Sequence, residues 1–250
     1  MRNKREGIGL WFVLPSLLGV LVFIFLPFLD VVRRSFLGAV NGKWVGLANF
    51  RNVLGNQAFL LAAGNTARFA VVCIPLLIVL SLFTAVFLQR YKTWGGWLKS
   101  AYLVPMAIPV ASVVLLWRVL FDRQGILNGS LALLQLSPID WMNSETAFGV
   151  LVFSYIWKNL GYDVVLWLAG LSAIPDSLSE AARVDGANEW QCFVRITLPN
   201  LIPTLFTITV LSFLNSFKVF REAYLVAGNY PDQSMYLLQH LFNNWFRDLD

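Results

Sequence analysis

Apolar runs of near-bilayer length recur along the chain, parted by short polar stretches. About 20 helical residues cross the hydrocarbon of a membrane, and five runs suit that length: residues 7–28, 66–88, 100–121, 147–171 and 198–220. The pattern predicts an all-α, polytopic membrane protein with a single transmembrane domain over residues 1–250. The first run follows a basic start, as a secretory signal would. It is longer than a signal core, and Leu26-Pro27-Phe28-Leu29-Asp30 is no small-residue cleavage site, so a retained helix is expected. Pro15, Pro75, Pro105 and Pro109 each remove a backbone donor from a span. Pro105 and Pro109 stand one turn apart and predict a bend in the third span.

Arg2, Lys4 and Arg5 point to a cytoplasmic N-terminus. Alternation then places 89–99, with Arg90, Lys92 and Lys99, and 172–197 on the cytoplasmic side. The segments 29–65, 122–146 and 221–250 fall outside. Arg33, Arg34, Lys43 and Arg51 run against this bias, but they lie in a longer segment, where the bias weighs less. Trp94 and Trp97 suit an interfacial belt beside the inner loop.

Composition narrows the class further. The chain is 58% hydrophobic and 13% charged, against about 25% charged in a soluble domain. A soluble fold of this kind would expose large apolar patches. The net charge of +5 forms no basic stripe interleaved with aromatics, so nucleic acid is not an expected partner. Cys73 lies in an apolar run and Cys192 in a polar one, so neither a disulfide nor a metal spacing is expected. His240 is the sole histidine, which leaves a zinc or His-based catalytic site almost nothing to build on. No metal ligand and no catalytic residue is therefore expected. No phosphate-binding G-x-x-x-x-G-K-[ST] occurs; Asn41-Gly42-Lys43-Trp44 lacks the upstream glycine and the hydroxyl residue. The chain is expected to bind no cofactor of its own, and an ATP-driven process would need its ATP and magnesium on a partner.

Between the last two spans stands EAARVDGANEWQCFVRITLP, residues 180–199. Asp176 or Ser177 can cap a helix, with Glu180 in its first turn. Ala181, Ala182 and Val184 give that helix a small-residue face. Gly186 permits a left-handed backbone and ends it. Asn188 to Phe193 can open a second short helix, and Leu198-Pro199 starts the fifth span. The expected result is a helix–turn–helix on the cytoplasmic side, whose small face lets another surface approach closely.

The spacing Glu180-Ala181-Ala182, three residues, Gly186, nine residues, Ile196, one residue, Leu198-Pro199 resembles the EAA loop of ATP-binding-cassette (ABC) importer permeases. LVPMAIPVASVVLLWRVLF, IWKNLGYDVVLWLAGLSAIPDSLSEAA and FKVFREAYLVAG extend the resemblance over most of the chain, toward the carbohydrate branch of the maltose and glycerol-phosphate type. The resemblance implies a type I permease-like helical bundle in a bacterial inner membrane. It implies that 172–197 is a coupling loop seated in a groove of an ATPase subunit, which binds ATP and magnesium as one of a dimer. Glu180 would contact that ATPase, Ala181 and Ala182 would allow the close approach, and Gly186 the turn. Ile196, Leu198 and Pro199 would anchor the loop to the fifth span. A second, related permease and an extracytoplasmic substrate-binding protein complete the implied assembly, with sugars or related polyols as solute. The alternatives are another solute class, or an ion-coupled secondary transporter. The latter should show inverted repeats with broken mid-membrane helices, and the sequence displays no such symmetry.

Polar residues inside the spans are the candidate pathway. Lys158 and Asp163 lie about 140° apart around the fourth span, so they cannot pair with each other. Each needs a partner, water or an interface. Asp163, with Tyr162 and Trp157, can bond sugar hydroxyls or stack on a ring; the other reading is bonding between helices. In the fifth span Thr209, Ser212 and Ser216 fall within about 60° of one another, with Asn215 at the edge. That stripe suits a polar pathway or helix packing through hydroxyls. Lys218, Arg221 and Glu222 read as interfacial. Asn128-Gly129-Ser130 matches a glycosylation acceptor, which in a bacterial setting reads as a turn. The segment MYLLQHLFNNWF, residues 235–246, reads as an amphipathic interfacial helix. Five spans leave Asp250 outside, and the resemblance implies one further span beyond it.

Overall fold

The computed structural model describes residues 3–90, 95–220, 223–224 and 231–248. Arg2, Lys92, Trp94, Arg221 and Glu222 lie outside the described residues, as do the side chains of Lys4, Arg5, Trp97 and Lys99. Two compact units divide between Leu60 and Leu61.

In the first unit, α1 (Asn3–Val20), a π-helical turn (Leu21–Phe25) and α2 (Leu26–Ser35) form one unbroken helical run. The π turn stands directly before Leu26-Pro27. Proline has no N–H, and its ring presses on the carbonyl four residues back; the wider turn, with Leu26 N–H donating to Leu21 O, gives that ring room. The helix outruns its expected end at residue 28. Asp30 pairs with Arg33 at 3.2 Å and with Arg34 at 2.7 Å, and both arginines sit in the last turn, where the helix dipole favours cations. These two charges, which oppose the orientation bias, thus belong to a helix end. Beyond them Leu37 and Trp44 form an antiparallel bridge, Phe36 stacks on Trp44 at 5.3 Å, and α3 (Ala48–Gly55) follows.

The second unit is built around α8 (Thr146–Ser172). Its N-terminal half packs with Phe69, Cys73 and Leu77 of α4 (Gln57–Arg90) and with Met235 and Leu237. Its C-terminal half packs with Ala85 and Leu88 of α4 and with Leu201 and Ile208. Its Val150 joins Val113, Trp117 and Phe121 of α6 (Val110–Phe121). Two glycines let neighbouring segments close in. A Cβ on Gly161 would collide with the Tyr102 carbonyl of α5 (Gly95–Ala107), and a Cβ on Gly170 with the Thr204 side chain.

Among the described residues, three helical stretches are long and apolar enough to cross a membrane: Trp11–Ser35, Gln57–Arg90 and Ile202–Val219. A fourth arises if the broken pair across Pro109 is one span. The 27 residues of α8 suffice in length, but Lys158, Asn159 and Asp163 keep it from being apolar throughout. It is also the helix most enclosed by protein, where polar groups find partners instead of lipid.

The expected bend in the third span is a break, with the two stretches set 105° apart. Pro105 lies within α5, while Pro109 has extended backbone (ψ 140) and acts as the N-cap of α6. Its carbonyl accepts from Ser112 and Val113 N–H at 3.0 and 3.2 Å, which starts a new helix.

Two expectations are corrected. Asn128 is not in a turn but in α7 (Ile126–Leu133), and it is buried. Its amide donates to Ile139 O at 2.8 Å and accepts from Ile139 N–H and Trp141 Nε1, pinning the segment that leads into α8. The segment 235–246 is not a purely interfacial helix. Met235 and Leu237 join the core, and Leu241 and His240 of α13 (Leu238–Asp248) are buried. Asn65 Nδ2 donates to the carbonyls of Gln233 and Tyr236 at 2.6 and 3.0 Å, and Leu238 N–H donates to Thr66 Oγ1, clasping the segment to α4. Phe242 and Phe246 remain exposed.

Candidate functional site

The segment after α8 folds as two short helices joined at a glycine. In α9 (Asp176–Val184) neither Asp176 nor Ser177 caps the helix; Pro175, with ψ 129, occupies that place and its carbonyl accepts from Leu178 N–H at 3.2 Å. Proline's fixed φ prepares this start without a side-chain bond. At the far end Gly186 has φ +88. Gly186 N–H donates to Arg183 O at 3.0 Å and Ala187 N–H to Ala182 O at 2.9 Å. This is a Schellman ending, which the absent Cβ permits.

Asn188 then caps α10 (Glu189–Cys192) through a reciprocal pair: Gln191 N–H donates to Asn188 Oδ1 at 2.8 Å, and Asn188 N–H to Gln191 Oε1 at 2.9 Å. Arg183 Nε donates to Glu189 Oε1 at 2.9 Å across the turn, and that carboxylate raises the arginine above its usual value. Both partners are exposed, so the pair orients the hairpin more than it stabilises it.

A π turn (Phe193–Thr197), α11 (Leu198–Asn200) and α12 (Ile202–Ser216) then lead into the membrane. As at Leu26-Pro27, the π turn stands directly before a Leu-Pro pair. Ile196 and Leu198 are half-buried and Pro199 is exposed. Glu180 and Ala181 are exposed and Ala182 half-buried. Around them, Val184 is 88% and Trp190 71% exposed. The hairpin therefore presents an apolar surface with an acid beside it.

The candidate pathway residues separate into two groups. Asp163 and Ser212 are both 2% exposed, and Ser212 Oγ donates to Asp163 Oδ2 at 3.1 Å. Tyr155 OH donates to Ser212 O at 2.7 Å, and Trp167 Nε1 to Ser81 Oγ at 3.0 Å. These bonds join α8 to α12 and to α4. Interhelical hydrogen bonds in membranes contribute only about 0.6 kcal/mol on average, so they fix register while packing supplies most of the hold. Ser216 is buried and donates to Phe213 O; Thr209 is exposed and donates to Leu205 O. Tyr162 is half-buried, and Trp157 meets Trp117 edge-on at 5.2 Å.

The second group surrounds a cleft of about 200 Å³, whose polar lining is Ser154, Tyr155, Lys158, Asn159, Asn215 and Lys218. Lys218 was expected at the interface; it belongs to this lining. The sequence reading also passed over Ser154, Tyr155 and Asn159. Their spacing with Lys158 (i, i+1, i+4, i+5) marks one face of α8, and a helical wheel drawn for that helix would have shown it.

Membrane-length helices, a partly polar enclosed helix and an exposed helical hairpin suit a membrane-spanning transport subunit. The profile of one family, described as "Binding-protein-dependent transport system inner membrane component", matches residues 77–241. The trehalose/maltose transport system permease protein MalF of Thermococcus litoralis is 31% identical over 252 residues, covering 98% of this chain and 85% of the relative. The arabinooligosaccharides transport system permease protein AraP of Bacillus subtilis is 32% identical over 224 residues, covering 87% and 71%. A solved bacterial ABC transporter involved in import of the acidic polysaccharide alginate shares the fold, with a TM-score of 0.81 and 21% identity over 98% of this chain and 86% of the other. The chain belongs to the family of inner-membrane components of binding-protein-dependent transport systems. It is a multi-pass transport component, not an enzyme.

Proposed function

We propose that this chain is one permease of an ATP-driven sugar importer and that residues 172–197 couple it to the ATPase. The observation that carries the reading is the hairpin itself. Its turn requires the left-handed Gly186, its second helix is fixed by a reciprocal cap, and its exposed face offers Glu180, Ala181, Val184 and Trp190 to a partner. The relatives named for trehalose/maltose and arabinooligosaccharides support a sugar or related polyol as solute. In this reading ATP and magnesium sit on an ATPase dimer, and a second, related permease completes the pathway. An extracytoplasmic binding protein delivers the solute, and the N-terminus is cytoplasmic. Asp163 and Ser212 hold α8 and α12 together, while Lys158 and Asn215 face the solute.

The test is co-purification of the tagged permease with its ATPase. Val at 186 would force a β-branched residue into left-handed backbone. Gly186→Val and Glu180→Lys are each expected to lower ATPase recovery at least about tenfold, with the permease still monodisperse. Undiminished recovery in both variants would overturn the coupling assignment.

A further inference from the structure

Past the end of α2 the first unit builds an elbow over residues 36–55. Gly38 N–H donates to Lys43 O at 2.8 Å and Val45 N–H to Phe36 O at 2.9 Å, so 36–45 is a small hairpin, turning at the left-handed Gly42. Phe36 meets Trp44 and Phe50, with ring centroids 5.3 and 5.5 Å away. Asn49 Nδ2 donates to Ser35 O and Leu37 O, each at 2.8 Å, which ties α3 to the end of α2. On a helical wheel Leu47, Phe50 and Leu54 fall within about 60° of one another and about 100° or more from Asn49, with Arg51 at their border. These three are 68%, 42% and 60% exposed, and Trp44 is 69% exposed. The elbow is held in place, yet its apolar face is uncovered.

Three observations say what covers that face. The first is continuity: no residue of the membrane-length stretch Trp11–Ser35, which carries the elbow, is buried within the protein. The second is depth. The first apolar run ends at residue 28, and Arg33 and Arg34 follow about 8–9 Å further along the helix axis. Headgroups add about 5–7 Å to each side of the hydrocarbon, so the elbow starts at the level of the phosphates. The third is charge. Residues 29–60 hold Arg33, Arg34, Lys43 and Arg51 against a single carboxylate, Asp30, and all four cations are exposed. An apolar helix face bordered by cations, with a tryptophan beside it, has the composition of a segment lying in a membrane interface.

We infer that this elbow is a binding surface for anionic phospholipid. Leu47, Phe50 and Leu54 enter the upper acyl region, Trp44 rests at the interface, and Lys43 and Arg51 engage headgroup phosphates. Arg33 and Arg34, oriented by Asp30, add to the same positive field. The four cations that run against the orientation bias thus gain a role: they hold lipid at the end of the first span. With the N-terminus cytoplasmic, that lipid belongs to the outer leaflet. The surface requires only that the chain spans a membrane, and it rests on neither the solute nor the ATPase.

The chain, purified with the subunits that accompany it, is reconstituted in phosphatidylcholine vesicles. Cys73 and Cys192 are buried, so Leu54→Cys takes a nitrobenzoxadiazole fluorophore with little background. Doxyl-labelled phosphatidylglycerol or doxyl-labelled phosphatidylcholine is included at equal mole fractions, and quenching of the fluorophore is compared. The expected result is quenching by both lipids, with phosphatidylglycerol preferred at least about fivefold. Lys43→Gln combined with Arg51→Gln should bring the two lipids close to equal, while Lys43→Arg combined with Arg51→Lys should keep the preference. Equal quenching by the two lipids without those substitutions, or a preference unmoved by the double Gln variant, would overturn the inference. So would the absence of quenching by either lipid, which would mean that another protein subunit covers the face.

Discussion

At the residue scale, single atoms decide the packing. A Cβ on Gly161 has no room against the Tyr102 carbonyl, whereas one on Gly149, in the same helix, meets nothing within 4 Å. Gly161→Ala is expected to destabilise the protein by about 1–3 kcal/mol through overpacking. Gly149→Ala should be neutral or gain up to about 1 kcal/mol from helix propensity. Thermal unfolding midpoints of the two variants in one detergent would check the difference. His240 gives a second contrast. Its Nδ1 accepts from Leu237 N–H at 3.2 Å, its ring meets Phe220 at 4.7 Å, and burial pushes it down to about 4 from 6.5. A depressed value means that the fold holds the ring neutral. The stability of the clasp is thus fully present above pH 6.5 and is lost as pH falls toward 4, on the order of 3 kcal/mol in all. Hydrogen exchange over 233–248, corrected for intrinsic rates, should speed up between pH 7 and 5, and His240→Gln should flatten that dependence.

At the element scale, the sequence was legible wherever structure depends on neighbours along the chain. The Ala182–Gly186 ending and the Asn188 start are local events, and their spacing alone placed a helix–turn–helix over 176–193. The break before α6 was half legible. Pro105 and Pro109 announced a distortion, but only the surroundings decide which proline breaks the helix and by how much. Asn128 was misread because its partners, Ile139 and Trp141, lie a loop away. The apolar face of 235–246 was read as facing the membrane interface because nothing local reveals that Phe69 and Leu77 wait beneath it. Gly161 and Gly170 carry no left-handed φ and no motif, so their role appears only when Tyr102 and Thr204 arrive from other helices.

At the scale of the whole molecule, burial and polarity run together. The helix with the most enclosed surface, α8, is the one whose polar residues keep it from being apolar throughout, while Trp11–Ser35 and Ile202–Val219 keep large exposed apolar side chains. Each unit thus carries a helix with an apolar surface suited to lipid or to another membrane subunit. The proposed topology can be tested by labelling, since Cys73 and Cys192 are 0% and 4% exposed and give little background. Gln124→Cys and Ser177→Cys occupy exposed positions at opposite ends of α8. A membrane-impermeant maleimide is expected to reach position 124 only from the outer face and position 177 only from the cytoplasmic face. Labelling of both from one face would refute the topology.

The turn before Leu198-Pro199 also sets a direction. A π turn amounts to an α-helix with one residue inserted. Each residue of a helix advances the azimuth by about 100° and the length by about 1.5 Å. The heading of the hairpin about the α12 axis is therefore encoded by a count of residues between Cys192 and Leu198. A chain one residue shorter there would keep every side chain of the hairpin and aim them at a different point of the compass.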